Sequence, residues 1–257
     1  MLLTVDIGNT QTVFGVYRGD ELIEHGRFSS RRDWTSDELE IVLRAWLHQK
    51  AGNIDAIQGV SMCSVVPPTE HLVRDALSAL LPEAPILSVG PGVRTGIAIR
   101  YENPKEVGAD RIVNAVAAHH LIGGGVIVVD FGTAITFDCI GEDGAYLGGA
   151  ISPGIHVSTE ALFRNTAKLP RIDPEPPEHL IGRNTVESLQ SGIFWGFLCL
   201  TEGMIDRLRN ELGPVPVIAT GGWAEAIGPH SSHIDEIEPW LTLEGLRLLW
   251  ERNGERI

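Results

Sequence analysis

Cysteine is scarce. Cys63, Cys139 and Cys199 are the whole complement of 257 residues. An odd number at wide spacing excludes a disulfide framework and a Cys-x-x-Cys zinc site, and leaves free thiols of a reducing compartment as the expectation. Positive charge is short too: 20 Lys and Arg stand against 34 Asp and Glu, for a formal net charge of −14. That balance argues against nucleic acid or an anionic membrane as the main partner. No apolar run approaches the roughly 20 residues of a membrane span. Met1 leads straight into Leu2-Leu3-Thr4-Val5, without a basic n-region or cleavage site, so a cytoplasmic protein is expected. Two common phosphate signatures are missing as well: there is no G-x-x-x-x-G-K-[ST] and no G-x-G-x-x-G.

What is present is a globular composition, 43% hydrophobic and 21% charged, in a chain long enough for two lobes with full cores. The organising stretch is Val126-Ile-Val-Val-Asp-Phe-Gly-Thr-Ala-Ile-Thr136. Four apolar residues after Gly123-Gly124-Gly125 read as a buried strand, and Asp130 stands where that strand leaves the core. The chain opens in the same way, with Leu2–Val5 running into Asp6, Ile7, Gly8, Asn9 and Thr10. An ungapped alignment of Asp6 with Asp130 also superposes Val5 on Val129, Gly8 on Gly132 and Thr12 on Thr136. Two copies imply two related halves. A strand-end carboxylate can hold magnesium. Glycine lets backbone N–H groups reach a phosphate, whose oxygens Thr or Asn side chains can bond. A single such turn is explained as well by hairpin chemistry alone; the matched pair is not.

The periodicities predict strands at Leu2–Val5, Thr12–Tyr17, Leu22–Phe28, Ile57–Val66 and Ile86–Val89, with helices at Ser36–Gln49 and His71–Leu81. Gly92–Tyr101 reads as loop and then strand, followed by a helix from Ile112 to Leu121. Strands Val126–Val129, Ala134–Ile140 and Ala145–Ile151 come next, then a helix through Phe163 and a proline-bearing loop at Leu169–Glu178. A long amphipathic helix, capped by Asn184 with Glu187, ends at Gly213-Pro214. Strand Pro216–Ala219 runs into Thr220-Gly221-Gly222, where two glycines would let a flat ring or a phosphate lie against the backbone. A strand about His233–Ile237 and a helix Thr242–Arg252 close the chain, and Arg31-Arg32 reads as a solvated loop.

Asp6-Ile7-Gly8-Asn9-Thr10, Asp130-Phe131-Gly132-Thr133-Ala134-Ile135-Thr136 and Ala219-Thr220-Gly221-Gly222, in this order, resemble the phosphate and adenosine motifs of the actin, sugar kinase and Hsp70 superfamily. Asn103-Pro-Lys-Glu-Val-Gly-Ala-Asp-Arg-Ile-Val-Asn114 narrows the likeness. With Phe163–Pro170 and Asn184-Thr185, that run resembles the type III pantothenate kinases, over essentially the whole chain. The resemblance implies an α/β fold of two ribonuclease H-like lobes, residues 1–118 and 119–257, with mixed sheets flanked by helices and nucleotide in the interlobe cleft. It implies transfer of phosphate from ATP, with Mg2+, to pantothenate at the start of coenzyme A synthesis. It also implies a homodimer and a monovalent cation, K+ or NH4+.

Carried over by position, Asp6, Ile7, Gly8, Asn9, Thr10, Gln11, Thr12 and Val13 bind ATP, as do Thr133, Gly221 and Gly222. Tyr101, Gly108, Ala109, Asp110, Arg111 and Thr185 contact pantothenate, Asp110 is the proton acceptor, and Asp130 holds the monovalent ion. An ordinary Asp, with a pKa of about 3.9, is ionised for that work at neutral pH. The plainer reading has Asp110 capping the helix near Ile112 and Arg111 pairing with a surface carboxylate. A different class, a non-catalytic transcription accessory factor of the same fold, would keep the architecture and lose the chemistry.

Overall fold

The computed structural model describes residues 1–31, 33–166 and 169–254. Arg32, half of the expected Arg31-Arg32 loop, lies outside the described residues, as do Ala167 and Lys168 of the Phe163–Pro170 run. The chain forms two compact units, Met1–Ala117 with Leu241–Ile257, and Ala118–Trp240.

The first unit is built on a sheet of β1 (Leu2–Ile7), β2 (Gln11–Arg18), β3 (Glu21–Ser29), β4 (Gly59–Ser64) and β5 (Ile86–Ser88), in the order β3-β2-β1-β4-β5. Strand β1 is antiparallel to β2 and parallel to β4. Side chains alternate across a strand, so Leu3, Val5 and Ile7 share one face. They pack with Leu39, Leu43 and Leu47 of α1 (Ser36–Lys50) and with Val73 and Leu77 of α2 (Pro67–Leu80). Thr35 starts α1: its hydroxyl accepts the Glu38 N–H, and the Glu38 carboxylate accepts the Thr35 N–H. Helix α2 begins four residues before the expected His71, at Pro67. Proline suits a first helical position because its missing N–H has no intrahelical partner there anyway.

The opposite face of β1 and β4 carries Thr4, Asp6, Ser61 and Cys63. Helix α7 (Leu241–Asn253) covers part of it, with Ser61 Oγ donating to the Leu246 carbonyl at 2.8 Å. The last helix therefore belongs to the first unit, where the expected division placed it in the second. Its end also explains why residues 92–101 make no strand. Gly92 and Gly96 have positive φ, and Arg94 exchanges its backbone N–H and C=O with the side-chain amide of Asn253 instead of a ladder.

The second unit repeats the first. Strands β6 (Val126–Phe131), β7 (Ala134–Ile140), β8 (Tyr146–Pro153), β9 (Val217–Gly221) and β10 (Glu236–Ile237) lie in the order β10-β9-β6-β7-β8. Three consecutive strands form an antiparallel meander, the fourth lies parallel beside the first, and the fifth parallel beyond it, as in the first unit. Strand β10 holds only two residues of the expected His233–Ile237. Ile127, Val129 and Phe131 pack under Phe194, Leu198 and Ile205 of α5 (Thr185–Leu212), which Asn184 caps and Gly213, with φ 87°, ends. Helix α3 (Ala109–Ile122) carries the chain out of the first unit, α4 (Ile155–Arg164) follows β8, and the short α6 (Ala224–Ile227) follows β9. Among the described residues no helix is long and apolar enough to cross a membrane.

Candidate functional site

Asp6 is the next-to-last residue of β1, and the parallel register sets Cys63 of β4 beside it. Cys63 Sγ donates to Asp6 Oδ1 at 3.4 Å. Asp110, in the first turn of α3, presents a second carboxylate to the same place. Its Oδ1 accepts the backbone N–H of Arg111 at 2.8 Å. A Cβ at residue 108 would stand 2.4 Å from that oxygen, so glycine leaves room for the carboxylate. Arg111 is only 8% exposed, so its side chain is withdrawn from the surface.

Burial, and after it the charge of Asp110, pushes the Asp6 carboxyl up to about 7 against the pull of the Cys63 hydrogen bond and Arg27. Burial also raises Asp110, opposed by the N–H and guanidinium of Arg111, so it is a stronger base than the ordinary Asp expected. The Cys63 thiol is pushed well up by burial and by the two carboxylates. It is a proton donor in this setting, since thiol reactivity needs the thiolate. Sequence inspection missed Cys63 and Arg27. Cys63 was legible only through the β1–β4 register, because nothing within its own strand points to Asp6.

The turn after Asp6 closes with the Gly8 N–H donating to the Gln11 carbonyl at 3.0 Å. Ser30, also missed, braces it. Its hydroxyl donates to the Gly8 carbonyl at 2.7 Å and lies 3.0 Å from Thr12 Oγ1. Asn9, Thr10 and Gln11 are exposed around the turn, whereas the Ile7 side chain is wholly in the core and has only its backbone to offer a ligand.

The second turn closes likewise, Gly132 N–H to Ala134 carbonyl at 3.0 Å, but the two hairpins differ in length. In the first, Asp6 stands opposite Val13 and Ile7 opposite Thr12. In the second, Asp130 stands opposite Thr136 and Phe131 opposite Ile135. The first turn is one residue longer, so the ungapped match of Thr12 with Thr136 fails. Directly opposed residues share a face, and Asp130 therefore has a hydroxyl neighbour where Asp6 has a valine. On its other side, Gly221 has φ 88°, and a Cβ there would stand 2.4 Å from Asp130 Oδ1. Thr133 and Gly222 are exposed beyond these strand ends, and Thr185 is exposed as the first residue of α5. Tyr101, 37% exposed, precedes α3 in the first unit, and Ala109 is the first residue of that helix.

The first unit thus brings Asp6, Cys63, Gly108 and Asp110 together, and the second brings Asp130, Thr136 and Gly221 together. Among the described residues no three His, Cys, Asp or Glu side chains gather into a metal cage. A magnesium ion that arrives with phosphate takes one or two carboxylates and keeps its other places for water and phosphate oxygens. Asp6, whose charge is disfavoured by burial and by Asp110, is the carboxylate that a divalent ion would relieve. Asp130 with Thr136 offers hard oxygen donors of the kind an alkali cation takes.

A family model described as type III pantothenate kinase matches residues 2–207. A type III pantothenate kinase of Moorella thermoacetica is 51% identical over 254 residues, covering 98% of this chain and 100% of that one. Another, from Streptomyces griseus subsp. griseus, is 48% identical with 100% of both chains covered. Among solved structures, one from Campylobacter jejuni described as a Baf family transcriptional activator matches with a TM-score of 0.61 and 20% identity, over 98% of this chain and 99% of that one. An inorganic polyphosphate/ATP-glucomannokinase from Arthrobacter sp. strain KM matches at 0.51 and 14% identity, over 98% of both chains. At those identities the solved structures speak for the fold alone.

Proposed function

The chain belongs to the type III pantothenate kinase family, and from that footing we propose that it transfers the γ-phosphoryl group of ATP to the primary hydroxyl of pantothenate, with Asp110 as the proton acceptor. The observation that carries this assignment is the Asp110 carboxylate, seated over Gly108 at the start of α3 and close enough to Asp6 to raise its pKa. Phosphoryl transfer asks a protein mainly for positioning and charge neutralisation. Asp110 accepts a hydrogen bond from the hydroxyl, aims its oxygen at the γ-phosphorus and takes the proton as the new O–P bond forms. The bond from the γ-phosphorus to the bridging oxygen breaks, and ADP leaves with those electrons. A carboxylate with a raised pKa is the better base for this.

The other roles follow the same division. Residues Asp6 to Val13 bind the nucleotide, with the exposed Asn9, Thr10 and Gln11 reaching phosphate oxygens around the turn that Gly8 closes. Thr133 adds a hydroxyl to the phosphates, and Gly221 and Gly222 a side-chain-free surface for the nucleoside. Asp6 holds the magnesium ion of the nucleotide, which neutralises phosphate charge when bound. Asp130 holds the monovalent cation, K+ or NH4+. Tyr101, Gly108, Ala109, Arg111 and Thr185 contact pantothenate, and the guanidinium of Arg111 suits its carboxylate or the charge developing on phosphate. The protein works in the cytoplasm as a homodimer.

The test is an acceptor assay with purified protein, ATP, Mg2+ and pantothenate, with and without KCl or NH4Cl. Formation of ADP and 4'-phosphopantothenate, dependent on the monovalent salt, is expected. No pantothenate-dependent ADP formation in either salt overturns the reading. Specific DNA binding at physiological salt in that case would favour the accessory factor.

A further inference from the structure

Thr136 lies directly across the β6–β7 ladder from Asp130. Its hydroxyl donates to Asp138 Oδ2, at 3.0 Å, two residues along the same strand and on the same face. Asp138 is fully buried, and its other oxygen accepts the hydroxyl of the equally buried Tyr146 at 2.8 Å. Both oxygens of the carboxylate are thus met by hydroxyl donors. Such an arrangement holds Asp138 as an acceptor and fixes which way each proton points.

A threonine hydroxyl has one proton and two lone pairs. With its proton committed to Asp138, Thr136 has only lone pairs to turn towards Asp130. Lone pairs bind a cation; they repel the oxygens of a phosphate. The first hairpin has no counterpart, since Val13 stands across from Asp6 and the Thr12 hydroxyl, on the other face, lies against Ser30. The two turns are therefore chemically distinct, although their sequences look like copies.

We infer that Thr136 is a ligand of the monovalent cation beside Asp130, and that Asp138, anchored by Tyr146, is the positioning residue that keeps the Thr136 proton turned away from the ion. The inference rests on the reading that Asp130 holds that cation. It assigns Thr136 against the expectation that turn hydroxyls serve phosphate. An amide at 138 can donate as well as accept. In Asp138→Asn, the NH2 group can point at Thr136 and free its proton to face the ion.

Two measurements test this. The first is the KCl concentration for half-maximal activity at saturating ATP and pantothenate, read beside the KM for ATP. Changes behind a metal ligand commonly cost about 10- to 100-fold in metal affinity. Thr136→Val and Asp138→Asn are accordingly expected to raise the KCl requirement about 10-fold or more, with the KM for ATP changed less than about twofold. Thr136→Ser keeps the hydroxyl and restores the wild-type requirement. The second needs no turnover: the rise in Tm produced by KCl over NaCl in protein saturated with Mg2+ and a non-hydrolysable ATP analogue. Wild type and Thr136→Ser show the rise, Thr136→Val loses it, and Asp138→Asn shows it only at higher KCl.

If Asp138→Asn does not fold, Tyr146→Phe loosens Asp138 without touching Thr136, and an increased KCl requirement is again expected. An unchanged requirement in Thr136→Val, with a raised KM for ATP, would return Thr136 to the phosphates and overturn the inference. An unchanged requirement in the folded Asp138→Asn, or failing that in Tyr146→Phe, would overturn the positioning role. Asp130→Asn separates the two levels. If it too leaves the KCl requirement and the Tm rise unchanged, the cation site itself is misplaced. If it abolishes them while Thr136→Val does not, only the inference fails.

Discussion

Gly108 has no Cβ where Asp110 Oδ1 needs room, and an added carbon would stand 2.4 Å from that oxygen. The clash is with the tip of a side chain, so the backbone can keep its path while the carboxylate moves. Gly108→Ala is therefore expected to fold normally and react slowly. A misplacement of about 1 Å in a reacting group costs roughly 100-fold in rate, and a loss of that order in kcat is expected with the denaturant midpoint nearly unchanged. Asp110→Asn, which keeps the shape and removes the base, should lose more. Near-normal kcat in both would take Asp110 out of the chemistry.

Asp6 makes stability depend on pH. Its carboxyl is raised from 3.8 to about 7 in the folded protein. Between these values the folded state holds the proton that the unfolded state has released, so stability falls as pH rises across that window and levels off above it. Each pKa unit corresponds to about 1.4 kcal/mol, so Asp6 accounts for roughly 3 kcal/mol of the fall between pH 4 and 7. Asp6→Asn has nothing to titrate there. Urea unfolding at pH 5 and pH 8 should show a smaller drop in the variant than in wild type. Equal drops would mean that the pair Asp6 and Asp110 is not desolvated as described.

The repeated strand–Asp–Gly pattern made the doubled architecture legible, because a strand that ends in a carboxylate and a glycine turn leaves a local signature. Two things were not local. The hairpins differ by one residue in turn length, which only the ladder register exposes. That difference moves Thr136, and not Thr12, to the side of its aspartate. Cys63 meets Asp6 across two strands 57 residues apart, through parallel pairing that no short window carries. The start of α2 at Pro67, four residues before the expected His71, has the opposite reason: proline has no intrahelical bond to break at a first helical position, so the apolar period alone places the start too late.

Asn184 and Thr185 separate a structural from a binding role at one helix end. Asn184 Oδ1 accepts the Glu187 N–H at 3.0 Å, while Thr185 is exposed beside it. Asn184→Ala removes the cap and should cost about 1 kcal/mol of stability. Thr185→Val should leave stability within about 0.5 kcal/mol, as surface changes usually do, and raise the KM for pantothenate with that for ATP unchanged. An unchanged KM would remove Thr185 from the substrate site.

The C-terminal helix is as much a part of the first unit as its strands. A Cβ at residue 59 of β4 would stand 2.1 Å from the ring of Trp250 on α7. Gly59→Ala must push the indole, and the helix that carries it, off the sheet. Overpacking of this kind costs about 1–3 kcal/mol. The lifted helix would also strain the Ser61 hydrogen bond to Leu246 and the Asn253 clasp on Arg94. Trp250→Leu should destabilise alone by leaving space, yet tolerate the extra methyl at 59. In the double variant the two costs should therefore fall short of their sum, by about 0.5–3 kcal/mol if the residues are coupled as contacts are. A double-mutant cycle from urea midpoints measures this. Strict additivity would show that α7 does not seat Trp250 on Gly59.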